Sequence, residues 1–176
     1  MNKKYFFIIT GIILVSAYFN YQAKATSFAI PQKVLDYLNK KNKGWVFPNT
    51  SKQVLDYFKK NKIKMYPNYI TGDFNGDGVL DCAIQIATSK SQVTARHIAI
   101  TFLDQKGKIK PFILENNLNS PYIYLWRYKK GEKGYDFVAQ KKFEYKNDSI
   151  GVMNWGESGR SYIYEEGKFK MFETSD

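Results

Sequence analysis

The chain has 176 residues, 27 Lys and Arg against 16 Asp and Glu, and a formal charge of +11. Its single cysteine, Cys82, excludes an intramolecular disulfide, so a fold of this chain must be held by packing, with a metal ion as the remaining aid. The basic balance lacks a stripe of Arg with interleaved aromatics on one face, which argues against a nucleic-acid partner.

Residues 1–25 read as a cleavable secretory signal. Lys3 and Lys4 form a positive start, residues 5–19 are uncharged and rich in Phe, Ile, Leu and Val, and Ala23-Lys24-Ala25 has the small-x-small pattern of a cleavage site. An uncleaved anchor would need ~20 apolar residues, and this stretch reaches that length only by recruiting Asn20, Tyr21 and Gln22. Cleavage near Ala25 is therefore expected, with the mature chain starting near Thr26 and destined for the periplasm or the medium. No later segment is apolar enough to span a membrane. Taking 25 residues from 176 leaves 151, a length suited to a single domain over 26–176; the loss of Lys3, Lys4 and Lys24 takes the charge from +11 to +8. That surplus reads first as a lysine-rich solvated surface, and otherwise as an attraction to anionic lipid, acidic polysaccharide or an acidic protein.

Residues 30–43 predict a helix, with Pro31 at its first position, Gly44 at its stop and Val34, Leu35 and Leu38 as the apolar stripe. A second helix is predicted over 51–62, where Thr50 and Gln53 have capping-box spacing and Val54, Leu55 and Phe58 repeat the stripe. Val34-Leu35-Asp36-Tyr37 matches Val54-Leu55-Asp56-Tyr57, a likeness that amphipathic helices reach by reusing few residue types. Asp36 and Asp56 sit in the first halves of their helices, where a carboxylate favours the positive end of the dipole.

From Tyr69 the pattern changes to strands, with a period of two over 80–87, 98–102 and 122–128 and a short apolar run over 109–114. Strands are predicted over 69–72, 80–87, 98–102, 109–114, 122–128, 135–138, 142–145, 149–153, 161–164 and 168–172. Cys82, Ile84 and Ile86 alternate with Asp81, Ala83, Gln85 and Ala87. Tight turns such as Gln105-Lys106-Gly107-Lys108 and Glu165-Glu166-Gly167 separate the strands. Helices first and short turn-linked strands after imply an α+β fold, with an N-terminal helical pair packed on a strongly bent antiparallel meander.

The turn between the first two strands carries chemistry. Asp73, Asn75, Asp77 and Asp81 stand at loop positions one, three, five and nine, with Gly78 at six, and Val79 adds a backbone carbonyl. Alternate residues of such a loop can turn their oxygens to one point, and an all-oxygen set suits Ca²⁺, which takes six to eight oxygens in loose geometry. Magnesium demands a stricter octahedron, and zinc prefers Cys and His. An Asx-rich turn that bonds its own backbone is the metal-free alternative. Position twelve is Ile84 rather than the Glu of an EF-hand, and the chain beyond Asp81 reads as a strand.

The segment Gly72-Asp73-Phe74-Asn75-Gly76-Asp77-Gly78-Val79-Leu80-Asp81, followed by Cys82-Ala83-Ile84, resembles the calcium loop of FG-GAP/VCBS-type repeats. That resemblance implies a loop joining two antiparallel strands and calcium ligands at Asp73, Asn75, Asp77, Asp81 and the Val79 carbonyl. The loop occurs once, which excludes a closed propeller of repeats. The chain more closely resembles small exported bacterial proteins that carry a single such loop behind a helical segment, a resemblance that implies a fold and an ion rather than a reaction.

No catalytic constellation emerges. His97 is the only histidine, placed opposite in phase to Ile98 and Ile100, and Cys82 lies on an apolar strand face. The unusual segment 155–160 could present Trp155, Glu157 and Arg160 to a partner. The preferred reading is a non-enzymatic, exported, calcium-stabilised binding domain for a protein or envelope component, in one form an inhibitor or immunity protein. The alternatives are a small exported hydrolase and a basic binder of envelope surfaces or polysaccharide. Oligomeric state is not encoded in any pattern seen here.

Overall fold

A computed structural model describes residues 30–88, 96–118, 120–157 and 159–174. The expected export signal, residues 1–25, lies outside the described residues. The chain divides into two compact units, Met1–Leu35 and Asp36–Asp176. Of the first, residues 30–35 are described, and they open helix α1 (Gln32–Lys41).

Helix α2 (Lys52–Lys60) starts one residue later than a Thr50 cap would place it. Ser51 is the cap: its backbone is extended and its hydroxyl accepts the Val54 N–H at 3.3 Å. Thr50 turns away and accepts from the Asn68 side-chain amide at 3.1 Å. Lys59 and Lys60 lie in the last turn, where they complement the negative end of the helix. Val54 and Phe58, four residues apart, are both buried.

Every segment with a period of two forms a strand. β1 (Tyr69–Gly72), β2 (Asp81–Ala87), β3 (His97–Gln105) and β4 (Lys108–Leu118) make one antiparallel sheet in sequence order. β5 (Ile123–Tyr128), β8 (Ser149–Asn154), β9 (Gly159–Glu165) and β10 (Lys168–Thr174) make a second, in the order β10-β9-β8-β5. β6 (Lys133–Asp136) and β7 (Lys141–Glu144) form a separate hairpin between β5 and β8. The fold is α+β with antiparallel sheets. The meander is continuous through β4; the chain then builds a second sheet. Short, charged β6 and β7 leave it, held by the Phe143–Phe172 contact at 5.4 Å between ring centres.

The two sheets share a core. Ile70, Ala83, Ala99 and Leu103 of the first meet Leu125, Ile150, Val152 and Tyr162 of the second. Hydrogen bonds join them as well: Leu125 N–H donates to the carbonyl of Pro67, just before β1, at 2.6 Å, and the Arg127 side chain donates through Nη1 to the Thr71 carbonyl at 2.9 Å. The opposite face of β2 and β3, which carries Cys82, Ile84, Ile86, Ile98, Ile100 and Phe102, is buried too. Tyr37 of α1 meets Phe102 edge-on at 5.3 Å. α2 serves the second sheet: Val54 and Phe58 cluster with Tyr124 and Met153.

Burial on both faces is where β2 departs from its alternating pattern. Every residue from Asp81 to Ala87 is buried, polar Asp81 and Gln85 included, because the second sheet stands where solvent was expected. A further irregularity shifts the β3–β4 register between His97 and Ile98 and again between Ala99 and Ile100, which sets Glu115 opposite Ala99.

Phe58→Ala should cost about 3–5 kcal/mol in urea unfolding, because its buried ring, 5% exposed, packs against Val54, Tyr124 and Met153. Lys52→Ala, which removes only an exposed pair with Asp56, should change stability by less than about 0.5 kcal/mol.

Candidate functional site

The loop between β1 and β2 is built from side chains that hold its own backbone. Asp73 does most of this: Oδ1 accepts the N–H groups of Gly76 (2.8 Å) and Asp77 (3.0 Å), and Oδ2 accepts that of Gly78 (3.0 Å). Asn75 Oδ1 accepts the Asp77 N–H at 3.0 Å, and Asp77 Oδ1 accepts the Val79 N–H at 2.9 Å. The chain must coil tightly to permit this, and Gly76 (φ 78°) and Gly78 (φ 83°) supply the left-handed steps.

Asp81 has a different task. It is 2% exposed, and its two oxygens reach in different directions. Oδ2 accepts the Phe74 N–H inside the loop at 3.0 Å, while Oδ1 accepts the Asp104 N–H at the end of β3 at 2.8 Å. Burial raises its carboxyl to about 6; the two backbone bonds oppose that rise and the nearby Asp77 charge adds to it.

Two residues that the sequence marked only as a turn also belong to this neighbourhood. Asp148, just before β8, accepts the Asp73 N–H at 3.3 Å and the Lys130 N–H at 3.1 Å. Asn147 lies so close to Gly76 that a Cβ there would collide with its side-chain amide. The Asn-Asp pair was the available signal, and only the tertiary fold shows where it points.

The donor set fits a hard cation in kind: three carboxylates, an amide oxygen and a peptide carbonyl. Each carboxylate oxygen that takes one N–H keeps a second lone pair. Among the described residues, however, no three His, Cys, Asp or Glu side chains converge as a ready metal cluster. The loop as it stands is closed by its own Asx turns.

Of Trp155, Glu157 and Arg160, the last two line one cavity, and Trp155 packs against helix α2. Trp155 leans on Tyr57, ring centres 4.7 Å apart, and stays 36% exposed. Glu157 accepts from the Asn154 side chain. Arg160 joins β9 to two carboxylates, Glu115 at 2.8 Å and Glu173 at 3.3 Å. Glu115 also accepts the Tyr162 hydroxyl at 2.5 Å. Glu115, Glu157 and Arg160 line a cavity of about 140 Å³ with Leu118, Ile123 and Val152. Glu115 was not singled out in the sequence because a register irregularity decides which face it takes.

His97 and Cys82 are both withdrawn from solvent. Cys82 is 3% exposed, and burial, with the adjacent Asp81 charge, raises its thiol to about 12. His97 is 8% exposed, Nδ1 has no hydrogen-bond partner among the described residues, and burial holds the ring below its ordinary value of 6.5. Among the described residues no helix is long and apolar enough to cross a membrane. No family model, curated protein or solved structure matches the chain.

The lowered His97 pKa has a sign. A neutral buried ring contributes stability fully present above the unfolded value of 6.5 and lost as pH falls toward the folded value. Melting temperature followed from about pH 7.5 to about pH 5 should therefore drop more steeply in the native protein than in His97→Gln, whose amide does not titrate.

Proposed function

We propose that the chain is an exported binding domain whose β1–β2 turn is stabilised by calcium, with Asp73, Asn75, Asp77, Asp81 and the Val79 carbonyl as ligands. The observation that carries this is the coil around Asp73. One carboxylate already gathers the N–H groups of Gly76, Asp77 and Gly78. The backbone path needed to bring oxygens at positions one, three and five to one side is therefore largely in place.

The ion would supply positive charge among three carboxylates, one of them buried. The chain's own residues do the rest. Asp73 sets the coil, Asp77 adds the most exposed carboxylate, and Asp81 ties the loop to the start of the β3–β4 turn. In this reading calcium fixes a scaffold and takes no part in a reaction. The helices complete that scaffold as a cover for the bent sheets, a role supported by Tyr37 on Phe102 and Phe58 on Tyr124. The buried, high-pKa Cys82 and a buried His97 whose Nδ1 meets no partner among the described residues favour a binding role over a hydrolytic one. The partner is read as a protein or envelope component met outside the cytoplasm.

Chelator-treated protein should bind calcium saturably in calorimetry and melt at a higher temperature with the ion. Asp77→Ala, which alters an exposed side chain, should fold and lose both effects. Extracellular calcium modules work at ~10⁻⁴–10⁻³ M. Absence of heat and of thermal shift for the native protein across that range would sink the calcium reading and leave an Asx-closed turn.

A further inference from the structure

We propose that the β6–β7 hairpin pairs two copies of this chain, the tip of each seated in a pocket beside the tip of the other. This goes beyond the calcium reading and holds whether or not the loop takes an ion.

Phe137 and Val138 stand at the turn between β6 and β7, 44% and 78% exposed. The backbone beneath them is fastened. Asp136 Oδ1 accepts the Val138 N–H at 2.9 Å and the Ala139 N–H at 3.1 Å. The Gln140 side-chain amide donates to the Phe137 carbonyl at 2.6 Å and accepts the Tyr135 hydroxyl at 2.8 Å. The Phe137 N–H donates to the Glu173 carbonyl of β10 at 3.1 Å, and its ring meets Tyr135 edge-on at 4.8 Å. Two apolar side chains are thus offered to solvent on a turn that is already held, which lowers the ordering cost that association carries.

Beside the tip, between the hairpin and the second sheet, lies a cavity of about 350 Å³. Phe143 of β7, Ile163 of β9 and Phe172 of β10 form its apolar floor, and Ala139, the neighbour of Val138, stands at its edge. A Cβ at Gly134 would collide with the Phe143 ring, so that glycine lets the ring lie close against β6 instead of filling the space. Ala139, Lys141, Glu144 and Lys146 are exposed, so the cavity opens to solvent along this rim. The volume has room for a branched or an aromatic side chain.

Charge selects the occupant. The rim carries Lys141 and Lys146 against Asp136, Glu144 and Glu165, on a chain with 27 basic residues and 16 acidic ones. A second copy is repelled by the basic balance of the whole, and this rim is where that balance is locally cancelled. Among the described residues Lys141, Glu144 and Lys146 form no ion pair. A two-fold contact sets the same surface against itself, so it must supply both members of every complementary pair. This hairpin does so twice: an apolar tip beside an apolar pocket, and unpaired charges of both signs around it. A strongly acidic partner would meet the three carboxylates and a strongly basic one the two lysines.

The test is sedimentation equilibrium on protein purified after expression of the full chain, over ~10 µM to ~1 mM, with calcium and with chelator. The mass should rise reversibly from that of one chain to that of two. Val138→Asp should weaken the association by at least about tenfold and leave the melting temperature unchanged, because the side chain is mostly exposed. Ala139→Trp, which enters the pocket from its rim, should do the same. Mixing the two variants should restore a weaker dimer, since the intact tip of one fits the intact pocket of the other. In a mixture of isotope-labelled and unlabelled protein, the Val138 methyl groups should show contacts to Phe143 and Phe172 of the other copy. A single-chain mass at every concentration overturns the inference, and so does a dimer that Val138→Asp leaves intact. Calcium heat in a protein that stays a monomer defeats this inference and spares the calcium reading. A Val138-dependent dimer in a protein with no calcium response does the reverse.

Discussion

The Asp81 carboxylate is the tie on which the first sheet depends. One oxygen holds the Phe74 N–H of the loop and the other the Asp104 N–H at the far end of β3, so one buried group joins three consecutive pieces of chain. Phe74, whose N–H is bonded in this way, is itself fully buried in the core between the sheets. A carboxylate is suited to this because it accepts on both oxygens and donates on neither. Its cost is a buried charge beside Asp77, which is why its pKa rises to about 6. The loop is thus less an appendage than the clamp that sets where β1 ends and β2 begins.

The second constraint is that β2 and β3 are covered on both sides. A strand exposed on one face tolerates any polar residue there; a strand buried on both does not. On the face toward Tyr37 the chain answers with Cys82, Ile84, Ile86, Ile100 and Phe102. On the face toward the second sheet it answers with alanines, Thr101, Gln85 and His97.

The sequence displayed the elements well and the faces poorly. A period of two marked β2, β3 and β5, turn signals set off the other strands, and stripes at three and four residues marked both helices, because each of these signals is local. The loop positions were equally visible, since Asp73, Asn75, Asp77 and Asp81 lie within nine residues. Features set by tertiary partners were hidden. Alternation of Ile84 and Ile86 with Gln85 looks the same whether the second face meets water or another sheet. Ser51 displaced Thr50 as the helix cap because Asn68, far along the chain, engages Thr50. Asp148 reached the loop across 75 positions, and Glu115 took its face from a register shift.

The loop and the buried polar residues of β2 and β3 lie toward opposite ends of the same pair of strands. Asp81 opens β2 and pairs through Asp104 with the end of β3, whereas Gln85 and His97 sit toward the other end. Four residues separate Asp81 from Gln85 along β2, roughly 13 Å at ~3.3 Å per residue. That is too far for anything held at the loop to touch Gln85, and near enough for the loop to hold both strands in register. A one-residue slip of β2 would carry Gln85 from the inter-sheet face to the helix-side face and bring Ile84 or Ile86 in its place. Clamping the loop end is therefore the physical means by which this turn keeps the faces of β2 sorted at positions it never contacts.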